Sequence, residues 1–300
     1  MKLRPSRRRS VPRMALLRFH ATVLALGLSF AGCDAPPGSV ARRTEPVTYE
    51  ARGVLREVWP ERRKAVIAHE DIPGFMAAMT MEFTAAESRE FAGLAPGDVL
   101  SFRLTVTEES SWIDQVRKTG TAPIPAAAEP AAAFTPGSLV QDCALVDSSG
   151  GAFRLSDFRG RALALTFIFT RCPLPDFCPR LNKNFAAVQR LLAARPDRSW
   201  HLLSISLDPD YDTPARLAEY APRYAPDPAL WSFATGQPDD IEKLGASLGL
   251  RVVRTGELPE HNLRTVVIGP DGRVRHVFTG NEWTPEDLAV ELECAMTAAP

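Results

Sequence analysis

The stretch ALALTFIFTRCPLPDFCP, residues 162–179, joins an apolar run to two cysteines and a proline. Residues 162–169 predict a buried strand, because the run is short, continuous and rich in aliphatic and aromatic side chains. Pro179 suits the first turn of a helix, where its missing N–H removes no hydrogen bond. The helix itself is predicted from apolar residues spaced four, three and four apart, which share one face: Leu181, Phe185, Val188 and Leu192.

Strand and helix signals continue to alternate after this stretch. Strands are predicted over residues 200–207 and 231–234, and helices from Thr213, Asp239 and Thr284. A hairpin turn is predicted at Pro-Asp-Gly, residues 270–272, because these residue types favour turns. This order predicts an α/β thioredoxin-like domain over residues 138–300.

The segment before it has a different pattern. Residues 47–117 contain short strand-like runs at 49–59, 65–69, 80–83 and 99–107, which predict a small closed β barrel. The tract over residues 118–137 is rich in alanine, proline and threonine and is predicted to be a linker. At a polyproline-like rise it spans up to roughly 60 Å, so we expect two independent, tethered domains.

The first residues have the features of an export signal. Five arginines within residues 4–13 precede the apolar run 21–30, which ends in Ala-Gly-Cys at Cys33. This ending resembles a bacterial lipoprotein box, which implies a signal peptide over residues 1–33, lipidation of Cys33 and a linker over 34–46. Asp34 resembles the residue that retains such lipoproteins in the inner membrane. Plain cleavage, an uncleaved anchor and a true start at Met14 remain open alternatives.

Composition restricts the functional classes. The chain has 300 residues, 45% hydrophobic and 24% charged, which is ordinary for globular proteins. Its formal net charge of −1 gives no reason to expect nucleic acid as a partner.

The exported location and the strand–loop–helix setting favour a functional pair at Cys172 and Cys178 over two unrelated buried cysteines.

Two groups of side chains have metal-binding chemistry. Cys178 is predicted at a helix N-terminus, where the helix dipole lowers the pKa of a thiol and favours the thiolate that metal binding and disulfide exchange both require. In the first domain, Met79 and Met81 share one strand face, and His69 comes from the preceding strand. Thioethers with an imidazole favour Cu(I), although methionines also serve as core fillers. Cys143 and Cys294 are predicted to be structural and to behave as small apolar residues. His201 and His276 are predicted to be packing or surface residues.

The methionine segment, HEDIPGFMAAMTM over residues 69–81, resembles the metal-binding segment of the CusF-like copper-binding domains. GLAPGD at residues 93–98, followed by Phe102, is also similar. The resemblance implies a five-stranded OB-type barrel that binds Cu(I) through His69, Met79 and Met81. A tryptophan caps the metal in the best-known member, and Met76 stands near that place here as a possible third thioether.

The second domain resembles the Sco/SenC copper chaperones. The similarity lies in four stretches, at residues 155–160, 170–179, 204–214 and 260–272. It implies copper, as Cu(I) and also Cu(II), bound by Cys172, Cys178 and His261. The five residues between the cysteines depart from the family's usual three. Asp208 and Asp212 are predicted either to support the ligands or to be turn residues.

These features predict an envelope metallochaperone at the periplasmic face of the inner membrane. Its barrel captures Cu(I), and its thioredoxin-like domain delivers copper to an envelope acceptor, for which a cytochrome oxidase subunit is expected. One alternative is a thiol–disulfide oxidoreductase in which Cys172 and Cys178 are a catalytic redox pair that forms a disulfide. Another is passive sequestration of copper for tolerance.

Overall fold

A computed structural model describes residues 45–124, 136–193, 195, 198–254 and 258–297. The predicted signal segment with Cys33, and residues 34–44 of the first predicted linker, lie outside the described residues. The described residues, from 45 onward, belong to one compact unit. Among the described helices, none is long and apolar enough to cross a membrane.

The first domain is an all-β barrel, as predicted. Its five strands form one antiparallel sheet in the order β3-β2-β1-β4-β5. An additional bridge between Ala85 and Ile113 joins the end of β3 to β5 and closes the barrel. The strands are β1 Val47–Trp59, β2 Lys64–His69, β3 Met79–Thr84, β4 Asp98–Val106 and β5 Ser111–Thr121.

The fifth strand has no clear alternating pattern in the sequence. Its alternation is broken at Gln115, which has a positive φ of 53° at an irregularity in the pairing with β4. The strand nevertheless continues to Thr121, beyond Arg117, because Lys118, Gly120 and Thr121 pair with the start of β4.

The second domain is the predicted α/β fold. Its seven strands are ordered β14-β13-β8-β9-β10-β6-β7, and the central β8, β9 and β10 are parallel. The strands are β6 Ala144–Asp147, β7 Ala152–Arg154, β8 Ala162–Ile168, β9 Trp200–Ser206, β10 Trp231–Gly236, β13 Arg264–Ile268 and β14 Val274–Thr279. A separate pair consists of β11 Val252–Val253 and β12 Glu260–His261.

Helices cover both faces of this sheet. One apolar cluster contains residues of α1, α2 and α4, and a second contains residues of α3. All seven residues of β8 and of β9 are buried, which explains why β8 is apolar apart from Thr166. β9 is less apolar, because it also buries His201, Ser204 and Ser206. The helices are α1 Cys178–Leu192, α2 Pro214–Tyr220, α3 Pro238–Ser247 and α4 Pro285–Thr297.

The expectation of two independent domains is wrong. Leu174 of the cysteine loop belongs to the apolar core of the barrel, and the Ser111 hydroxyl of β5 donates a hydrogen bond to Asp176. The composition of a linker indicates only how far apart it allows two domains to lie. Whether the domains are in contact depends on the surfaces that they present to each other in the folded protein. The two domains therefore pack together within one compact unit.

Candidate metal centre

Buried carboxylates position the loop that leaves β8. Asp212 is fully buried and accepts hydrogen bonds from the Thr170 backbone N–H at 2.9 Å, the Thr170 hydroxyl, and the Ser206 hydroxyl at 2.5 Å. The next residue, Arg171, forms an ion pair of 2.7 Å with Asp208. Both aspartates thus fix the two residues that immediately precede Cys172. Sequence patterns alone could not distinguish this role from that of ordinary turn residues.

The two cysteines of the loop are in contact as free thiols. Cys178 begins α1 and is 1% exposed, while Cys172 is half-buried. A hydrogen bond from Cys178 lowers the pKa of Cys172, whereas burial raises the pKa of Cys178 well above its ordinary value. The expectation that Cys178 carries the thiolate is therefore wrong, because burial outweighs the helix dipole at that position. Cys172 is the sulfur that ionises first.

His261 presents a neutral ring nitrogen beside this pair. Its Nδ1 lies 3.0 Å from the Asn262 carbonyl oxygen, and a carbonyl only accepts, so Nδ1 carries the hydrogen. The Nε2 lone pair is thereby left for a ligand. Burial lowers the pKa of His261 to about 4, which keeps the ring uncharged at neutral pH. The ring of Phe169 contacts it edge-on at 5.8 Å.

The barrel presents a second set of soft donors. Met79 and Met81 lie two residues apart on β3, and His69 is the register partner of Met79. The Nδ1 of His69 donates to the Glu70 carbonyl at 2.7 Å, which leaves Nε2 as the free lone pair. Among the described residues this Nε2 is buried without a hydrogen-bond partner. Because an unsatisfied buried nitrogen is unfavourable, a metal ion at this position fits the donor set.

Side chains from both domains line one cleft of about 400 Å³. The barrel contributes Met76, Met79, Thr80 and Met81, and the second domain contributes Phe169, Cys172, Pro173, Leu174, Phe177, Cys178, Pro259 and His261. No three histidine, cysteine or acidic side chains in the described part of the chain close around one metal position. Cys172, Cys178 and His261 thus share the cleft without forming a preassembled cage.

In the described part of the chain, four other cysteines and histidines are not among the residues that line this cleft. Cys143 is buried, and burial raises its pKa to about 11, as expected of a structural cysteine. Cys294 is exposed, which corrects the prediction that it packs as a small apolar residue. His201 is buried between Arg161 and Ser232, and His276 stands 3.7 Å from Glu291.

A thioredoxin-like fold with a dithiol and a neutral imidazole, facing thioethers on a small barrel, defines a protein that binds a soft metal ion. Comparison with known families identifies the class further. The model of the SCO1/SenC family matches residues 132–297, which is more than half of the chain, and the chain belongs to this family. The model of the copper-binding periplasmic protein CusF matches residues 48–118. Copper is the metal that these matches support.

Two curated relatives and one solved structure are similar to parts of this chain. The "SCO1 protein homolog" of Bacillus subtilis is 28% identical over 156 residues, which are 50% of this chain and 79% of the relative. A "putative copper-binding protein" of Stutzerimonas stutzeri is 31% identical over 136 residues, 44% of this chain and 64% of the relative. The solved structure of BsSco, described as a member of the Sco family of cytochrome c oxidase assembly proteins, has 27% identity and a TM-score of 0.49. It covers 56% of this chain and 99% of its own.

Proposed function

We propose that this protein is an envelope copper metallochaperone with two sites in series. Cu(I) is captured by His69, Met79 and Met81 on the barrel and passes to Cys172, Cys178 and His261. The observation that carries the proposal is the shared cleft, since Met79, Met81, Cys172, Cys178 and His261 all line it. Two unrelated sites have no reason to share one cavity.

The chemistry of the donors gives the transfer a direction. Thioethers are neutral and bind Cu(I) weakly, whereas a thiolate adds a full negative charge. The hydrogen bond from Cys178 lowers the pKa of Cys172, which favours that thiolate at the wall of the cleft. The ring of His261 is already neutral, so it binds copper without first losing a proton. Copper therefore moves from the barrel to the dithiol by exchanging ligands.

An anaerobic Cu(I) titration of the reduced chain from residue 43 tests the two sites. We expect two coppers for the parent protein and one for each of two variants, Met79→Leu with Met81→Leu and Cys172→Ser with Cys178→Ser. An unchanged count after the double cysteine substitution refutes the second site. Val106→Leu, another conservative apolar change in the barrel, is the matched control and keeps both coppers.

The transfer of copper from the barrel to the dithiol is tested by measuring its rate. The thiolate-to-copper charge-transfer absorption is followed in a stopped-flow instrument after one equivalent of Cu(I) is added. We expect at least tenfold slower arrival at the dithiol when Met79 and Met81 are leucine. Equal rates mean that the barrel does not supply the second site, and copper that never moves from the barrel indicates passive sequestration.

The acceptor is proposed to be an envelope protein with a copper site, specifically a cytochrome oxidase subunit. Membership of the SCO1/SenC family supports this acceptor, and the match to a periplasmic copper-binding protein supports the location. The lipoprotein-type ending at Cys33 supports attachment at the periplasmic face of the inner membrane. Cys33→Ser in the full chain should move the protein from the membrane fraction to the soluble fraction. Retention in the membrane would argue for an uncleaved anchor.

A thiol–disulfide oxidoreductase is the second candidate, because the two thiols are held in contact with oppositely shifted pKa values. The Cys172 thiolate would attack a disulfide of the acceptor and release one thiolate, which takes up a proton. Cys178 would then lose its proton and attack Cys172, releasing the second thiol and leaving a Cys172–Cys178 disulfide. A ligand role needs His261 and this exchange does not. His261→Ala should therefore reduce copper affinity and leave the rate of disulfide reduction within about twofold.

A further inference from the structure

Three of the five residues between the cysteines, Leu174, Asp176 and Phe177, contact the barrel. Leu174 is 3% exposed and is part of the barrel's apolar core, together with Ile72 and Phe91. Phe177 and Cys172 pack against the cores of both domains. A loop side chain of the second domain thus completes the core of the first. Burial of this leucine removes apolar surface from water and so stabilises the contact.

A polar contact fixes the orientation of the same loop. The Ser111 hydroxyl of β5 donates to both carboxylate oxygens of Asp176, at 2.8 and 3.1 Å. Asp176 is only 8% exposed, and its backbone carbonyl accepts a hydrogen bond from the Asn281 side chain. A buried carboxylate needs such donors, so separating the domains would leave it without the one from the barrel.

The ion pairs at the edge of this contact are weaker. Lys183 pairs with Glu109 at 2.9 Å and Lys64 with Glu282 at 3.3 Å, but both glutamates are at least 70% exposed. Pairs of this kind contribute little to stability. Leu174 and the bond from Ser111 to Asp176 therefore contribute more to the contact between the domains than these exposed ion pairs do.

We propose that the lengthened cysteine loop is a docking element that seats the barrel over the dithiol and shields it from large partners. In the docked arrangement Met79 and Met81 line the same cleft as Cys172 and Cys178, and Cys178 is only 1% exposed, so we infer that a folded acceptor reaches these sulfurs less readily than a small molecule does. Delivery to an acceptor then requires the barrel to leave Leu174 and Asp176. This inference rests on the proposed function and deepens it, because it assigns a role to the loop between the two cysteines.

Shielding is measured on copper-free, reduced protein, independently of copper transfer. The rates at which Cys172 is alkylated by iodoacetamide and by a polyethylene glycol maleimide are compared, and the ratio of the bulky to the small reagent reports access. Ser111→Glu places a carboxylate against Asp176 and leaves the cysteine loop unaltered. We expect this ratio to rise at least tenfold, because like charges at this distance repel.

Thr119→Glu is the matched control. It adds the same charge eight residues further along β5, about 26 Å away at the rise of a strand, and should leave the ratio unchanged. Leu174→Ser is a second disruption that removes the apolar anchor and should also raise the ratio. A ratio equal to that of the parent in both disrupting variants, with both folded by circular dichroism, overturns the docking proposal. The copper counts of the two sites would remain as they are, so failure here is distinct from failure of the proposed function.

Discussion

Asp212→Asn is the substitution that tests most directly how the cysteine loop is held. In the parent protein one fully buried carboxylate accepts hydrogen bonds from the Thr170 N–H, the Thr170 hydroxyl and the Ser206 hydroxyl. Asparagine has the same shape, and a hydroxyl can rotate to accept from its amide group. The variant therefore keeps three bonds but makes all of them neutral.

The expected loss of stability follows from the number of these hydrogen bonds. A hydrogen bond to a charged group contributes about 1.5–3 kcal/mol and a neutral one about 0.5–1.5, so each bond loses roughly 1 kcal/mol. We expect Asp212→Asn to lower the free energy of unfolding by about 2–3 kcal/mol. Asp212→Ala leaves three buried donors without an acceptor and should cost about twice as much.

Guanidinium unfolding of the chain from residue 43, followed by tryptophan fluorescence, measures the change. Trp200, Trp231 and Trp283 lie in the apolar core of the second domain and report its unfolding. Asp210→Asn, an exposed change in the same loop, is the control and should lie within about 0.5 kcal/mol of the parent. An equal or higher stability for Asp212→Asn would refute the reasoning, since it would mean that desolvation of the carboxylate outweighs its three bonds.

Three further predictions concern other parts of the protein. Burial lowers the pKa of His201 from 6.5 to about 3, so the unfolded chain binds a proton as the pH falls below 6.5 and the folded protein does not. Stability should fall by about 2 kcal/mol between about pH 7 and pH 5 from this group, and His201→Gln should reduce that slope in urea unfolding. Gly53→Ala should destabilise the barrel by more than about 2 kcal/mol, because the new methyl group would meet the Ala68 oxygen at 2.6 Å. In a copper titration this variant should lose the copper of the barrel site and keep the copper of the second domain. Met76→Leu should reduce the Cu(I) affinity of the barrel site by less than tenfold in a competition assay, because we expect Met76 to pack near the metal without binding it. A larger loss of affinity would indicate that Met76 is a third thioether ligand.

The sequence by itself determined much of the architecture. The apolar run of residues 162–169 corresponds to β8, and the helix predicted from Pro179 begins one residue earlier, at Cys178. Both are predictable because their signals are local. A strand buried on both faces is mostly apolar, as β8 is apart from Thr166, and a helix packed on one side repeats apolar residues every three to four positions. β5 was missed as a separate strand, because its irregularity at Gln115 breaks the alternation that identifies a strand.

The donor residues were also recognisable one by one, since soft side chains are scarce and their spacing is characteristic. Sequence alone could not show which thiol ionises, because that depends on burial at Cys178 and on its hydrogen bond to Cys172. It could not show that Asp212 holds Thr170 either. These are contacts between elements that lie far apart in the chain.

The arrangement of the two domains was decided only by tertiary structure. A linker rich in alanine and proline predicts reach, and from it we expected independent domains. In the folded chain Leu174 and Ser111 join them, and the thioethers of β3 come to line the same cleft as the dithiol. Local sequence patterns predict helices and strands, because the spacing of buried residues repeats along the chain in each of them. Contact between two folded domains depends instead on the shape of their surfaces and on which polar groups face each other. The order of residues within one domain specifies neither of these.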